Sequence, residues 1–325
     1  MKKQIKALLS RPEISALAIT LFLIIVFTFV NDRFLNSRNF MVILAAYPEY
    51  ALVALGVTIL MISGEFDLSV GSVFAVSPIV TVILVGNYEY NQYWAITLGL
   101  LSAAALGFVN AVVTLLFRIP SFITTLGMLF MARSIAIGIS GGFPPSFPKN
   151  WDTDWLVGRM DMLRVSVFWM IGIALVCHFI LKKTNLGSWI YATGENKQAA
   201  KDLGINTFAV KTSCFVLCST LAGFAGIIQS LRIKTAITSL GLGLELNAIA
   251  AAVVGGASLM GGIGSALGAL VGTFLLQMID NILILSRVDG NWFKFGLGAM
   301  IIIAVILNTF TKNRSDKIRL KEDNE

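Results

Sequence analysis

The chain has 325 residues, of which 56% are hydrophobic and 13% charged, and its mean hydropathy is +0.81. Soluble domains carry about 25% charged and about 45–50% apolar residues, so these values exclude a soluble globular protein. The formal net charge of +7 sits at the two termini and in a few loops, the distribution of a membrane protein with cytoplasmic positive loops, so no nucleic-acid partner is expected.

The first apolar run, residues 14–30, follows "MKKQIKALLS". It is long, and "FTFVNDRF" beyond it offers no small-x-small cleavage site, so it reads as an uncleaved first span rather than a secretory signal. A span needs about 20 mostly apolar residues. Ten can be placed, at about 14–31, 41–62, 69–86, 94–117, 121–140, 165–181, 209–230, 247–261, 265–285 and 294–310. The expected fold is an all-α polytopic membrane protein. One transmembrane domain covers 1–325, with tails at about 1–13 and 311–325 and a polar loop at about 182–210.

Orientation follows from lysine and arginine. Lys2, Lys3, Lys6 and Arg11 place the N-terminus in the cytoplasm, and Lys312, Arg314, Lys317, Arg319 and Lys321 place the C-terminus there. Lys182, Lys183, Lys197, Lys201 and Lys211 assign the 182–210 loop to the same side. Six spans then precede that loop and four follow it. "GNYEYNQYW" (86–94), rich in tyrosine, suits an outer connection, while Arg33 and Arg38 fall outside against the rule.

Glu65 and Asp67 stand in "SGEFDLSVGS" at a span boundary. A carboxylate at mid-bilayer is expensive, so both should face the cytoplasmic rim or an internal cavity. Glu65 reads either as lining an inner gate or as a solvated turn residue. Asp67 reads either as a path residue beside Ser69 or as the N-cap of the next helix. The segment also resembles "GASLMGGIGSALGA" (256–269). Each carries a Gly-Ser pair, Gly71-Ser72 and Gly264-Ser265, before a new span. That similarity fits either duplicated halves with broken helices or a shared small-residue packing composition.

Asn110, Thr124 and Thr125 are uncharged hydrogen-bonders within spans, suited either to a polar neutral solute or to helix–helix bonding. Arg133 lies inside the fifth span, positioned either to bond solute hydroxyls or to pin a neighbouring helix. The longest outer loop, 141–161, is stiffened by Pro144, Pro145 and Pro148. Trp151, Asp152, Asp154 and Trp155 in it form either a docking platform for a basic protein surface or an aromatic lid on the headgroups.

"GENKQAAKDLGINT" (194–207) is a polar interruption in this apolar chain. Asn196 is a good N-cap and Gly204 a good C-terminal stop for a helix of about two turns. Ala199, Ala200 and Leu203 share one side. That small, smooth strip suits a protein groove better than a bilayer surface, where Trp, Phe or Leu would be needed. A helix this short must be held by packing.

Several chemistries lack their residues. There is no G-x-x-x-x-G-K-[ST] phosphate loop and no H-E-x-x-H. A single histidine, His178, cannot build a Ser-His-Asp set. Cys214 and Cys218 share a helix face, but paired thiols without His or carboxylate partners read as packing. Neither an enzyme nor a cofactor nor a metal site is expected.

"GENKQAAKDLGINT" resembles the cytoplasmic coupling segment of membrane permeases of ABC importers of the ribose, arabinose and galactose type. "SGEFDLSVGS", "GFVNAVVTLLFRIPSFITTLGMLFMARSIA" (107–136) and "ELNAIAAAVVGGASLMGGIGSALGALVGTFLLQMIDN" (245–281) are similar to further motifs of that family, in the same order. Glu65 departs from the neutral residue usual there, and Asn247 from a frequent Asp. The resemblance implies a bundle of about ten spans with short or broken helices, akin to vitamin B12-type permeases. It implies a bacterial inner or plasma membrane, a second permease copy or paralogue, a cytoplasmic ATPase and an extracellular or periplasmic binding protein. Glu195, Asn196, Lys197, Ala199, Ala200, Leu203 and Gly204 would meet the ATPase. Glu65, Asp67, Ser69, Asn110, Thr124, Thr125, Arg133 and Asn247 would line the path of a small polar solute, a monosaccharide above all. The rival reading, a stand-alone secondary transporter or channel, calls for several mid-membrane carboxylates, and almost none are expected away from the span ends.

Overall fold

A computed structural model describes residues 12–88, 91–161 and 163–289, and beyond them 292, 294–296, 298–299 and 302. In chain order the helices are α1 (Pro12–Val30), α2 (Ser37–Ile62), α3 (Val70–Tyr88), α4 (Gln92–Leu116), α5 (Ser121–Ser140), α6 (Asp154–Val157), α7 (Val165–Lys183), α8 (Asn185–Glu195), α9 (Lys197–Asp202), α10 (Thr207–Ile233), α11 (Leu244–Val254) and α12 (Ala266–Leu285). A small antiparallel hairpin, β1 (Arg159–Met160) and β2 (Leu163–Arg164), lies between α6 and α7.

Six of these helices, α2, α4, α5, α7, α10 and α12, are long and apolar enough to cross a membrane. Their boundaries have local causes. Asn36 and Asn91 accept from the second amide of α2 and α4, and Ser265 accepts from Gly268 N at the start of α12. α5 ends on Gly141 in the left-handed region, where a Cβ would be strained. The apolar stretch of α10 is 72% buried and that of α2 61%, against 22% for α5. α10 and α2 are therefore central and α5 peripheral. α10 packs on α4, α2 and α3, with Gly56 against the Cys218 backbone and Gly107 against that of Phe215. Small residues of this kind let membrane helices approach closely. Asn39 and Asn281 exchange amide hydrogen bonds of 2.8 Å and tie α2 to α12.

Ten full spans were expected. Nine of the ten segments fall on described helices, and most of 294–310 lies outside the described residues. The segment expected to span over 247–261 instead forms the 11-residue α11, which stops at the glycines 255–256. At 1.5 Å per residue it covers about 16 Å, half of a hydrocarbon core of about 30 Å.

The reason is that the chain enters the bundle twice without helix. After α2, residues 66–69 climb along α5 into the first turn of α3: Phe66 N donates to Ser121 Oγ, Leu68 N to Thr125 Oγ1 and, within that turn, Ser72 Oγ to Leu129 O. α3 thus starts inside the bundle. After α10, residues 234–243 enter from the opposite end, where Ala236 N donates to Pro145 O, and α11 starts inside as well. The two starts meet. A Cβ on Gly71 would overlap both the Gly241 carbonyl oxygen and Glu245 Oε2. Such backbone is tolerated at membrane depth only where protein or a cavity surrounds it.

Candidate translocation path and coupling site

The expected path residues do not gather at one point. Asp67, Ser69, Asn110 and Thr125 are fully buried beside the start of α3. Asp67 Oδ1 accepts from Ser69 N at 2.7 Å and Ser69 Oγ at 2.6 Å, and Oδ2 accepts from Ser219 Oγ at 3.2 Å. Asn110 Nδ2 donates to Ser69 Oγ at 2.9 Å and reaches both Asp67 oxygens at 3.4 Å. Asp67 was weighed as the helix cap. Its carboxylate instead fixes Ser69, whose carbonyl oxygen accepts the first α3 amides, from Ser72 and Val73. Thr124 is half-buried, with a buried hydroxyl that finds no partner.

Arg133 clasps the two helix starts. Nη2 donates to Gly71 O at 2.8 Å, and Nη1 donates to Leu240 O at 2.8 Å and to Thr238 O. Its donors thus lie on backbone of both non-helical entries, so it fixes their meeting point.

Asn247 lies elsewhere. It lines a cavity of about 170 Å³ with Glu49, Tyr50, Gln229 and the 239–244 backbone turn. A smaller void shares Tyr50, Leu244 and Asn247 and continues along α11 past Ala248 and Ala251. Together they mark a track beside α2 and α11. Gln229 and Arg232 belong to the last turns of α10, and α9 immediately precedes its first. The cavity is therefore displaced along the 27-residue α10, about 40 Å long, away from α9.

Glu49 was missed in the sequence, although the signal was present: an acidic residue within the second expected span. It is 1% exposed, and its Oε1 accepts from Arg232 Nε at 2.8 Å. The expectation of almost no carboxylate within the spans is corrected by Glu49. The ion pair explains how the bundle tolerates it: isolated, the charge would be costly. A carboxylate neutralised by a fixed arginine is also unlike the free acid that proton or sodium coupling requires.

At the other end α9 closes one turn and a half. Asn196 Oδ1 accepts from Gln198 N and Ala199 N at 3.0 Å. Gly204, at φ +82°, ends the helix, with Ile205 N donating to Ala200 O. The expected Ala199–Ala200–Leu203 strip is divided. Ala200 is buried against the bundle, whereas Ala199 is exposed and Leu203 is 79% exposed. Glu195, Asn196 and Lys197 are exposed beside them. Partial burial, with Lys211 nearby, holds the Lys197 ammonium below the ordinary lysine range.

The α8–α9 junction is wedged between two other chain ends. A Cβ on Gly194 would overlap the Ile62 carbonyl oxygen, and Gly262 N donates to that same oxygen at 2.9 Å. Gly262 also packs on Glu195. Next to this wedge Glu65 and Lys211 form an ion pair at 2.5 Å, with side chains 13% and 6% exposed. Glu65 is thus a partly buried tie between the end of α2 and the start of α10.

In the loop before α7, Trp151 packs on Phe147, and Trp155 stacks with Tyr93 and Trp169. Asp152 and Asp154 stay exposed. The aromatic residues hold the loop and the acids face outward.

Helices of spanning length and backbone that breaks at mid-bundle beside a cavity make this a polytopic membrane protein. Residues 39–305 match the family described as the branched-chain amino acid transport system / permease component, and the chain belongs to that family. It is similar to the xylose/arabinose import permease protein XylH of Sulfolobus acidocaldarius, with 30% identity over 95% of this chain and 88% of the relative. It is also similar to the ribose import permease protein RbsC of Escherichia coli K12, with 34% identity over 91% and 93%. The autoinducer 2 import system permease protein LsrC of Escherichia coli O157:H7 is 32% identical over 93% and 88%. No solved structure matches the chain. The resemblance of its motifs to permeases of sugar-type ABC importers is upheld by these relatives.

Proposed function

We propose that this chain forms the membrane path for a monosaccharide in an ATP-driven importer. A cytoplasmic ATPase grips α9, a second permease copy or paralogue completes the path, and an extracellular or periplasmic binding protein delivers the sugar against the 141–161 loop. Both termini lie in the cytoplasm in this reading. The tenth span, within 294–310, completes a bundle akin to vitamin B12-type permeases.

The observation that carries the reading is the way α9 is held. Ala200 anchors it to the bundle while Ala199 and Leu203 face outward, which leaves a small apolar step for a partner groove. Movement imposed there reaches α2 through Gly194 and Ile62, and α10 through the chain itself. α10 lines the cavity near its other end, through Gln229, and α2 at its middle, through Glu49 and Tyr50. Closure of an ATPase pair is a rigid-body motion of the kind that packed helices transmit.

The test is purification of the complex in mild detergent and ATP-driven sugar uptake in proteoliposomes. Ala199→Trp fills the step without touching buried Ala200. It is expected to lower both ATPase copurification and uptake by tenfold or more. Uptake by this chain alone, without ATP, would replace this reading with that of a stand-alone transporter.

A further inference from the structure

We infer that the cavity beside Glu49 is a solute subsite within the membrane path, and that the free oxygen of the Glu49 carboxylate accepts a hydrogen bond from a hydroxyl of a neutral sugar. The inference deepens the monosaccharide reading and rests on it.

The cavity holds about 170 Å³. An engineered protein cavity of about 150 Å³ takes up benzene, so this space suits one ring-sized solute. Its lining has the mixture found in small-molecule sites, apolar surface with a few placed polar groups. Phe74 and Tyr50 supply flat faces, and Gln229, Ser239 and Asn247 supply donors and acceptors.

Glu49 decides the chemistry. Arg232 occupies Oε1, whereas Oε2 is buried and accepts no hydrogen bond. A buried carboxylate oxygen without a donor is costly, and here it belongs to a residue that lines a cavity. A hydroxyl from a solute would satisfy it. Arg232 pairs with Glu49, and Arg164 is near both, so the group beside the cavity is an ion pair rather than a lone charge. A neutral polyol can bond Oε2 without disturbing that pair. The position also fits the order of events. The cavity lies away from the α9 end and continues along α11 toward it.

The experiment uses the full complex, with ATPase and binding protein, in proteoliposomes. Labelled D-ribose, D-xylose and L-arabinose are the probes. The transported sugar is compared with its deoxy analogue in the wild type and in Glu49→Gln. The binding protein is the same in both, so its own preference cancels in the ratio. Hydrogen bonds to charged groups are strong, and the preference for the hydroxylated sugar is expected to fall by about tenfold in the variant. A second variant leaves the ion pair alone: Leu242→Trp, at an exposed lining residue, should fill the cavity and cut uptake by tenfold or more while the ATPase still copurifies. An unchanged ratio in an assembled Glu49→Gln complex, or unchanged uptake in Leu242→Trp, overturns the subsite. Wild-type complexes that take up none of the three sugars overturn the monosaccharide reading itself, and the subsite with it.

Discussion

Among the described residues two carboxylates, Asp67 and Glu49, are fully buried, and they sit in opposite surroundings. Asp67 is enclosed by Ser69, Asn110 and Ser219, with both oxygens engaged. Glu49 shares one oxygen with Arg232, keeps the other free and borders open space. The difference teaches that burial of an acid in a membrane protein is not by itself a sign of transport. A saturated carboxylate organises backbone. A half-saturated one beside a cavity has capacity left for a ligand.

Substitution at each site should separate the two roles, and Asp67→Ala should have the largest effect. It strips acceptors from Ser69, Asn110 and Ser219 together. Each buried group left unpaired costs about 1–3 kcal/mol, so a loss on the order of 3–5 kcal/mol is expected. The readout is denaturation of the detergent-solubilised protein, with folded yield falling whether or not sugar is present. A stable Asp67→Ala protein that fails only in transport would erase the contrast drawn here.

Arg232→Gln comes next. It leaves Glu49 charged and unpaired. Breaking a fully buried pair costs roughly 3–5 kcal/mol, and the 21% exposure of the Arg232 side chain reduces the expectation to about 2 kcal/mol. Combining it with Glu49→Gln should recover most of the stability but not the hydroxyl preference. A double variant as unstable as the single one would show that the pair matters through packing alone.

Ser219→Ala should have the smallest effect, about 1 kcal/mol. Three donor groups, Ser69 N, Ser69 Oγ and Asn110 Nδ2, still serve Asp67. Uptake at matched protein levels should stay close to wild type. A large transport defect would move the Asp67 cluster from the frame into the path.

Much of the frame was legible along the chain. The long apolar runs became helices close to their expected bounds, and the "GENKQAAKDLGINT" segment formed a helix capped by Asn196 and closed at Gly204. Such features depend on residues within one or two turns of each other, which a linear reading captures. The span expected over 247–261 is shorter in the structure, because Gly255 and Gly256 stop α11 after Val254. The α3 start meets the 234–243 entry, with which it shares no obvious motif, so that contact could not be read along the chain.

What the sequence by itself determined is the class: a membrane chain, its family, and the local caps that start and stop its helices. Apolarity, periodicity and capping act between near neighbours or with solvent, so they can be read in order. Only the tertiary structure decided which polar groups meet. Glu49 finds Arg232 across a separation of 183 residues, and Arg133 finds Gly71 and Leu240 on two different chain entries. In a low-dielectric interior each buried polar atom needs a partner. Which partner it obtains depends on helix packing and crossing, and so does the fact that Glu49 Oε2 is left without one beside a cavity.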